Sequence, residues 1–417
     1  MARTIFRGAN LLDGRNPAQP DSALVVDGER IAYVGPDAGA PRAQPGDREV
    51  ALAGRTLMPG LISTHYHSTY DGITIMPEPL GLEAPPGYLA IVAAKNVQLA
   101  LACGFTSLVS AGAINDDIDA QLALAIERGV IPGPRLVPGS RGFDTTGGYT
   151  DTERWWWELG NHGAQVFCDG PDEFRKAVRR EIKRGARMIK LFPSGGHGVD
   201  EAREELSFSF DELRACVETA HARGARLRAH CPWKKPMLEC IRAGVDVIDH
   251  GDRIDDEVIE AMLRAGSFLV PSMFFIQQML HDGGNLVAAT AVQQAPIRAD
   301  FENIRRMLPR ANEAGVKLCI GDDYGIVILP HGRYAEELEF YVKEVGIPPL
   351  DVLRWATVHG AELMGRGGEL GSLEVGKLAD LLVVDGDPSQ DIALLRERAK
   401  LLAILKGGVF QKDALHT

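Results

Sequence analysis

Two histidines separated by a single residue can together hold a metal ion. His65 and His67 end an apolar segment that favours a β-strand, and residues two apart in a strand point to the same side. Paired imidazoles are common ligands of zinc and similar divalent ions, which activate water for hydrolysis. Taken alone, such a pair is equally compatible with two structural histidines.

Four further side chains with charged or metal-binding groups also come at the ends of apolar segments. These are Lys190, His230, His250 and Asp323. A lysine inside an apolar strand must be neutralised, paired or modified, because burying a free ammonium group is costly. Each of the two histidines is also consistent with a purely structural role. Asp322 offers a second carboxylate directly before Asp323.

The segments that carry these side chains alternate with amphipathic helices, which is typical of a parallel sheet. Eight β–α steps favour an α/β fold, the (β/α)8 TIM barrel, whose active sites lie at the C-terminal ends of the strands. The sequence Ser209-Phe210-Asp211-Glu212 predicts a capped helix start. The predicted strands lie near Leu57–Thr64, Phe105–Ser110, Arg135–Gly139, Arg187–Phe192, Arg226–His230, Val245–His250, Phe268–Ser272 and Val316–Asp323.

Both ends of the chain are predicted to form short strands of a separate module. Asp27-Gly28 favours a hairpin near the start, and apolar segments with turn residues recur near the end. We therefore predict a small β-sandwich domain built from residues 1–56 and 366–417. It adjoins a metal-binding barrel formed by residues 57–365.

Five motifs place these side chains in a recognisable order. They are Met58-Pro59-Gly60-Leu61-Ile62 before His65-Tyr66-His67, Ile189-Lys190-Leu191, the segment 243–251 that ends in His250-Gly251, Gly321-Asp322-Asp323 and the segment 371–381. Together they resemble motifs of the amidohydrolase superfamily, specifically of its imidazolonepropionase-like and prolidase-like members. The first-strand motif departs from the usual pattern only at Ser63, where aspartate is common. The resemblance covers nearly the whole chain.

The resemblance implies a centre of two divalent metal ions. Zinc is the expected metal, and Lys190 would be carbamylated by carbon dioxide so that its carbamate bridges both ions. By motif register, Asp323 takes the position of the functional aspartate. The implied ligands are His65, His67 and Asp323 for the first ion, and His230 and His250 for the second.

The resemblance also implies hydrolysis of a carbon–nitrogen bond in an amide, peptide, carbamate or cyclic amide. A hydroxide that bridges the metals would attack the carbonyl carbon, and Asp323 would carry the proton to the leaving nitrogen. Esters and lactones form the same tetrahedral intermediate and are the alternative substrates. His197 is a candidate to bond the substrate carbonyl, and the candidate pocket residues are Trp233, Tyr324 and His331.

Two other functions agree less well with the residues. A mononuclear deaminase of the same fold would carry a glutamate three residues after the strand-five histidine, where this chain has Trp233, and it would lack Lys190. A catalytically silent scaffold relative would have lost metal ligands, whereas this sequence retains the full set.

The amino-acid composition limits which binding partners and which cellular compartment are expected. The net charge of −12 argues against nucleic-acid binding, which needs a basic surface. The 6 cysteines contain no CxxC pair, and no apolar run approaches a membrane span. We therefore expect reduced thiols, a cytoplasmic location and no membrane partner. The expected partners are a small-molecule substrate and further copies of the chain in a homo-oligomer.

Overall fold

The computed structural model describes residues 2–74, 80–115, 117–154, 156, 159–197, 206–282 and 291–415. The strands are β1 (Thr4–Leu11), β2 (Gln19–Asp27), β3 (Arg30–Pro36), β4 (Arg48–Ala51), β5 (Thr56–Pro59), β6 (Leu61–Tyr66), β7 (Phe105–Ser110), β8 (Arg135–Val137), β9 (Gly139–Asp144), β10 (Gln165–Phe167), β11 (Met188–Leu191), β12 (Arg226–Cys231), β13 (Val247–His250), β14 (Phe268–Val270), β15 (Lys317–Leu318), β16 (Leu381–Val384), β17 (Leu401–Lys406) and β18 (Val409–Asp413). The α-helices are α1 (Pro86–Ala102), α2 (Ile118–Glu127), α3 (Pro171–Arg184), α4 (Phe210–His221), α5 (Lys234–Ala243), α6 (Asp256–Ala265), α7 (Met273–Asp282), α8 (Ala291–Ala314), α9 (Tyr334–Phe340), α10 (Pro349–Arg354) and α11 (Gly360–Leu363). None of the helices in the described part of the chain combines the length and the hydrophobicity needed to cross a lipid bilayer.

One sheet is assembled from both ends of the chain. Its strand order is β18-β17-β16-β5-β1-β2-β3, and β4 pairs with β1. The predicted hairpin is confirmed, because β2 and β3 pair antiparallel up to Asp27 and Arg30. The sheet buries a hydrophobic cluster of its own, in which residues from the start and the end of the chain, such as Phe6, Leu24 and Leu405, pack together.

The strands in the middle of the chain are parallel and alternate with helices, so the chain has an α/β fold with a parallel sheet. They pair in the orders β6-β7-β8 and β10-β9-β11-β12-β13-β14-β15. Only Pro138 separates β8 from β9, and the chain therefore continues directly from one group to the other. The strands at the far ends of the two groups are β6 and β15. They are also connected, because the amide and the hydroxyl of Thr64 in β6 both donate to the carbonyl of Ile320, just after β15, at 2.8 Å. Parallel pairing brings the C-terminal ends of these strands to one side.

The structure divides the first predicted barrel strand into two. The sequence predicts one strand near residues 57–64, whereas β5 joins the sheet of the chain ends and β6 begins the parallel strands. Gly60 separates them at a point where a Cβ atom would overlap the Thr106 side chain. Glycine therefore permits the close packing at which the chain passes from one sheet to the other.

Helix α4 begins where the sequence predicts. The Ser209 hydroxyl accepts the Glu212 amide, and the Glu212 carboxylate accepts the Ser209 amide at 2.7 Å. This reciprocal cap satisfies two amides that the first helical turn leaves without partners. It fixes the start of the helix that leads into β12, one of the strands that carry site residues.

Candidate active site

Two histidines and an aspartate converge at the end of β6. His65 and His67 are two residues apart and almost fully buried, so their rings lie on the same side of the strand. His65 Nε2 lies 3.0 Å from Asp323 Oδ1, and His67 Nε2 lies 3.2 Å from the same oxygen. Asp323 follows β15, so that residues more than 250 positions apart meet at one point. The ligand atoms of the three side chains all lie within 4.8 Å of one another.

The remaining ring nitrogens of these two histidines have acceptors of their own. His65 Nδ1 lies 3.2 Å from Asp249 Oδ1, and His67 Nδ1 lies 3.2 Å from the Gly112 carbonyl oxygen. When Nδ1–H donates to these oxygens, both Nε2 lone pairs are available to a cation beside Asp323. Histidines that bind a metal have this arrangement, in which an oxygen acceptor fixes the tautomer. The three residues therefore fit a divalent metal ion.

A second pair of histidines faces the first. The rings of His230 and His250 lie 4.5 Å apart, and the His250 ring is 5.5 Å from that of His65. His230 Nε2 lies 3.2 Å from the Gly195 carbonyl oxygen, which leaves Nδ1 for another partner. His250 has a φ of 72°, a left-handed conformation that is unfavourable for a non-glycine residue. Such strain is typical of functional sites, because the surrounding structure must enforce it.

Burial and neighbouring charges give these side chains the ionisation states that a metal requires. Burial lowers the pKa of His230 and His250 well below the ordinary value, and nearby cationic groups add to the effect. Burial also lowers the pKa of His67, which Asp323 offsets only in part. For Asp323, burial raises the pKa, but His65 and His67 outweigh it and hold the pKa well below the usual range. Neutral imidazoles and an ionised carboxylate are the forms that bind metals.

Lys190 lies between the two groups of histidines and is fully enclosed. Its Nζ lies 2.8 Å from Asp249 Oδ2. Burial lowers the pKa of Lys190, and Arg228 lowers it further, whereas Asp249 opposes the shift. The sequence expectation that this lysine must be paired or modified is therefore met by Asp249 in the structure.

Arg228 and Asp249 form an ion pair at this site that the sequence analysis did not single out. Both side chains are 0% exposed. Arg228 donates Nε–H to Asp249 Oδ2 at 2.9 Å, and its Nη2 contacts the other carboxylate oxygen. Its Nη1 donates to the carbonyls of Thr64 (2.6 Å) and Ser110 (3.0 Å). An arginine alternating with apolar residues in Leu227-Arg228-Ala229 would have revealed the need for a buried carboxylate.

Asp249 thereby connects the arginine, the lysine and one histidine. One of its oxygens contacts His65 and the other contacts Lys190, while Arg228 spans both. Burial raises the pKa of Asp249, but Arg228 and Lys190 outweigh it and hold the pKa well below the ordinary value. An ionised Asp249 is a strong acceptor that fixes the orientation of the His65 ring.

The two adjacent aspartates have different surroundings. Asp323 faces the histidines, whereas the Asp322 carboxylate accepts the backbone N–H groups of Phe275 at 3.0 Å and Asp323 at 2.8 Å. Asp322 is 0% exposed, and burial together with Glu337 raises its pKa well above the ordinary value. Burial likewise raises the pKa of Glu337 to about 7. Asp322 therefore stabilises the loop behind the site.

His197 lies beside the second pair of histidines. Its ring is 4.8 Å from that of His250, and its Nδ1 lies 2.6 Å from Asp252 Oδ2. Burial lowers the pKa of His197, but the Asp252 carboxylate outweighs burial and raises the pKa above the ordinary value. His197 is therefore oriented by a carboxylate and has Nε2 left for another partner.

A cavity of about 660 Å³ opens above these side chains. All six predicted metal ligands line it, and so does His197. The three candidate pocket residues are not among its lining residues. Trp233 is 3% exposed, the Tyr324 hydroxyl donates to Glu337 Oε2 at 3.0 Å, and His331 Nδ1 lies 3.0 Å from the Tyr334 hydroxyl. These three side chains pack behind the cavity wall.

The comparison with protein families agrees with this geometry. A model of the amidohydrolase family matches residues 56–410. The chain belongs to the amidohydrolase family. It is a hydrolase that acts on carbon–nitrogen bonds, as the motifs imply. The matched range includes every residue of the site described above.

Individual relatives of this amidohydrolase cover almost its full length. Ochratoxinase from Aspergillus niger is 28% identical over 425 residues, which cover 97% of this chain and 86% of the relative. Its crystal structure aligns with a TM-score of 0.86 over 99% of this chain and 96% of the ochratoxinase chain, at 28% identity. Imidazolonepropionase from Mycolicibacterium smegmatis is 25% identical over 419 residues, covering 93% and 90% of the two chains. The structure of a prolidase complexed with N-methylphosphonate-L-proline aligns with a TM-score of 0.87 and 29% identity, covering 99% of this chain and 100% of the prolidase. The expected similarity to imidazolonepropionase-like and prolidase-like members is confirmed.

Proposed function

We propose that this amidohydrolase is a metal-dependent hydrolase of small-molecule amides, with peptides, carbamates and cyclic amides as related substrates. The observation that carries the proposal is the convergence of His65, His67 and Asp323 on one point beside a second histidine pair. Relatives named ochratoxinase, imidazolonepropionase and prolidase support a carbon–nitrogen bond as the target. An ester or lactone is the alternative substrate for the same arrangement.

In the proposed architecture, residues 57–365 form a closed eight-stranded (β/α)8 barrel, and residues 1–56 and 366–417 form a β-sandwich domain. The direct continuation of β8 into β9 supports closure on one side. The hydrogen bonds from Thr64 to Ile320 support closure on the other. In such a barrel the C-terminal strand ends surround a single site.

Two divalent metal ions, zinc as the expected metal, fit the donors around the cavity. His65, His67 and Asp323 would hold one ion, and His230 and His250 would hold the other. The ligand atoms of the first three lie within 4.8 Å of one another, and buried neutral imidazoles suit zinc. Because Lys190 lies buried between the two groups, a carbamate formed there from carbon dioxide would supply an anionic ligand to both.

The chain's own residues then have distinct roles. When bound, the metal ions polarise a substrate carbonyl and lower the pKa of water. The Asp323 carboxylate accepts the proton of the attacking water and delivers it to the leaving nitrogen. His197, oriented through Nδ1 by Asp252, donates from Nε2 to the substrate carbonyl oxygen.

Metal analysis of the purified enzyme tests the donor assignment. We expect about two divalent ions per chain when the protein is prepared without chelators, because the His65, His67 and Asp323 group and the His230 and His250 pair both line the cavity. The measurement is elemental analysis of protein before and after dialysis against a chelator. A stoichiometry close to one that added zinc does not raise would contradict the binuclear site.

Replacement of Lys190 tests the bridging ligand. Lys190→Ala is expected to lose turnover and to lower the bound metal content, because the position between the metals then has no donor. Acetate or propionate should partly restore both quantities by occupying the vacated space. The matched control is Lys235→Ala, which removes a lysine that is not among the lining residues of the cavity. Turnover of Lys190→Ala equal to that of the wild type would exclude the carbamate.

A further inference from the structure

The cavity extends beyond the metal-binding side chains into a region with apolar walls. Six apolar or aromatic side chains from separate parts of the fold form this region, here called the apolar wall. Most of them are less than a tenth exposed and yet border the cavity, so they face space that a ligand can fill. The apolar wall consists of Tyr70, Leu89, Val92, Phe275, Met279 and Ile297.

Helical spacing brings these side chains to a common face. Leu89 and Val92 are three residues apart on α1, and Phe275 and Met279 are four apart on α7, so each pair lies on one side of its helix. Ile297 of α8 completes the wall. Three helices, of which α1 is distant in sequence from α7 and α8, therefore face one space with apolar side chains.

Aromatic rings continue the apolar wall down to the candidate metal ligands. The Tyr70 ring stacks on His67 with centroids 4.1 Å apart and an angle of 4° between the planes. On the other side of the site, the Tyr149 ring stacks on His230 at 5.6 Å and 11°. A group that occupies the apolar wall would therefore lie directly beside a carbonyl placed at the histidines.

The volume of the cavity exceeds the needs of a simple amide group. About 660 Å³ is within the range of roughly 300–1,000 Å³ that holds ligands of drug size. Binding an aromatic ring or an alkyl chain there removes apolar surface from water on both partners, which is favourable.

We propose that the substrate carries a bulky apolar group, an aromatic ring or a long or branched alkyl chain, next to the scissile carbon–nitrogen bond. This group binds against the apolar wall between α1 and α7. The inference rests on the proposed hydrolysis of carbon–nitrogen bonds and names the class of substrate. It makes the apolar wall the part of the site that determines specificity.

Two substrate series separate the acyl side from the amine side of the bond. The first consists of acetyl-, hexanoyl- and decanoylglycine, and the second of N-acetylalanine, N-acetylleucine and N-acetylphenylalanine. With zinc-loaded enzyme, kcat/KM is expected to rise at least about tenfold along one series, since burying a few methylene groups has an effect of that size. The series that responds identifies the side that contacts the apolar wall. Equal values of kcat/KM along both series would overturn the inference and leave the hydrolytic function standing.

A pair of variants on α1 tests whether the apolar group of the substrate binds at the apolar wall. Val92→Thr nearly preserves the shape of the side chain but places a hydroxyl in the apolar wall. It should reduce, several-fold, the ratio of kcat/KM between the most and the least apolar substrate of the series that responds. Ile91→Thr is the matched control, because Ile91 is 71% exposed and is not among the cavity lining residues. If this ratio is unchanged in Val92→Thr, or falls equally in both variants, the apolar group does not bind at the apolar wall.

Product binding tests the inference without reliance on turnover. In calorimetric titrations of the wild-type protein, phenylalanine should bind more tightly than alanine, or decanoate more tightly than acetate. Equal affinities within both pairs would overturn the inference that the apolar wall binds an apolar group. If no member of either series is hydrolysed while these affinities differ, the proposed function fails, but the inference that the apolar wall binds an apolar group is retained.

Discussion

Asp323→Asn is expected to reduce kcat by about 10²–10⁴-fold, the range for loss of a residue that transfers a proton in the transition state. Asp323 Oδ1 is the oxygen that both His65 Nε2 and His67 Nε2 approach. An amide oxygen is a weaker base than a carboxylate and a poorer metal ligand. Turnover should be measured on an N-acylamino acid, with the metal content determined on the same samples.

Asp322→Asn is the matched control for this prediction. Its side chain accepts two backbone N–H groups and faces away from the histidines, so the substitution should lower stability more than turnover. We expect kcat of the folded fraction to stay within about tenfold of the wild-type value, because no reacting atom contacts this carboxylate. A larger loss of kcat in Asp322→Asn than in Asp323→Asn would reverse the roles of the two aspartates.

Asp249→Asn is expected to lower the free energy of unfolding by about 3–5 kcal/mol, the cost of removing one partner of a buried ion pair. Arg228 would keep its carbonyl acceptors at Thr64 and Ser110 but lose its only described carboxylate partner. His65 would also lose the ionised acceptor that fixes its ring, so that metal affinity should fall. Urea unfolding and elemental analysis measure the two effects.

Asp246→Asn provides the control for Asp249→Asn. Asp246 comes just before the same strand, contacts His221 at 2.9 Å and accepts the Leu227 amide, but its side chain is 23% exposed. Because solvent compensates part of the lost interaction, the free energy of unfolding should fall by only about 1 kcal/mol. Equal destabilisation of both variants would mean that the buried ion pair has no special contribution.

The sequence predicted the main features of the fold because they depend on local pattern. Apolar strands alternating with helices indicate a parallel sheet, and the cap at Ser209 has a spacing that only a helix start requires. The division at Gly60 was missed, since β5 and β6 form a continuous apolar run whose two parts pair with different sheets. Pairing partners depend on the whole chain, and no local pattern specifies them.

The pocket residues show the same limit at the site. Trp233, Tyr324 and His331 follow strand ends in sequence, but whether a side chain faces the cavity or packs behind it depends on the path of each loop. The apolar wall was not foreseen for the same reason, because it is formed by helices whose apolar positions are indistinguishable in sequence from ordinary core positions.

His65 and His67 illustrate what the sequence by itself determined about this protein. The alternation of side chains along a strand places both rings on one side. Parallel pairing brings the C-terminal end of this strand close to the ends of the strands that carry His230 and His250. Only the tertiary structure decided which ring nitrogen faces the site, because Asp249 and the Gly112 carbonyl that engage the other nitrogen lie far away in the chain. Motif register had already favoured Asp323 over Asp322, and the tertiary structure adds the physical reason, since backbone amides after β15 and at Phe275 hold the Asp322 carboxylate.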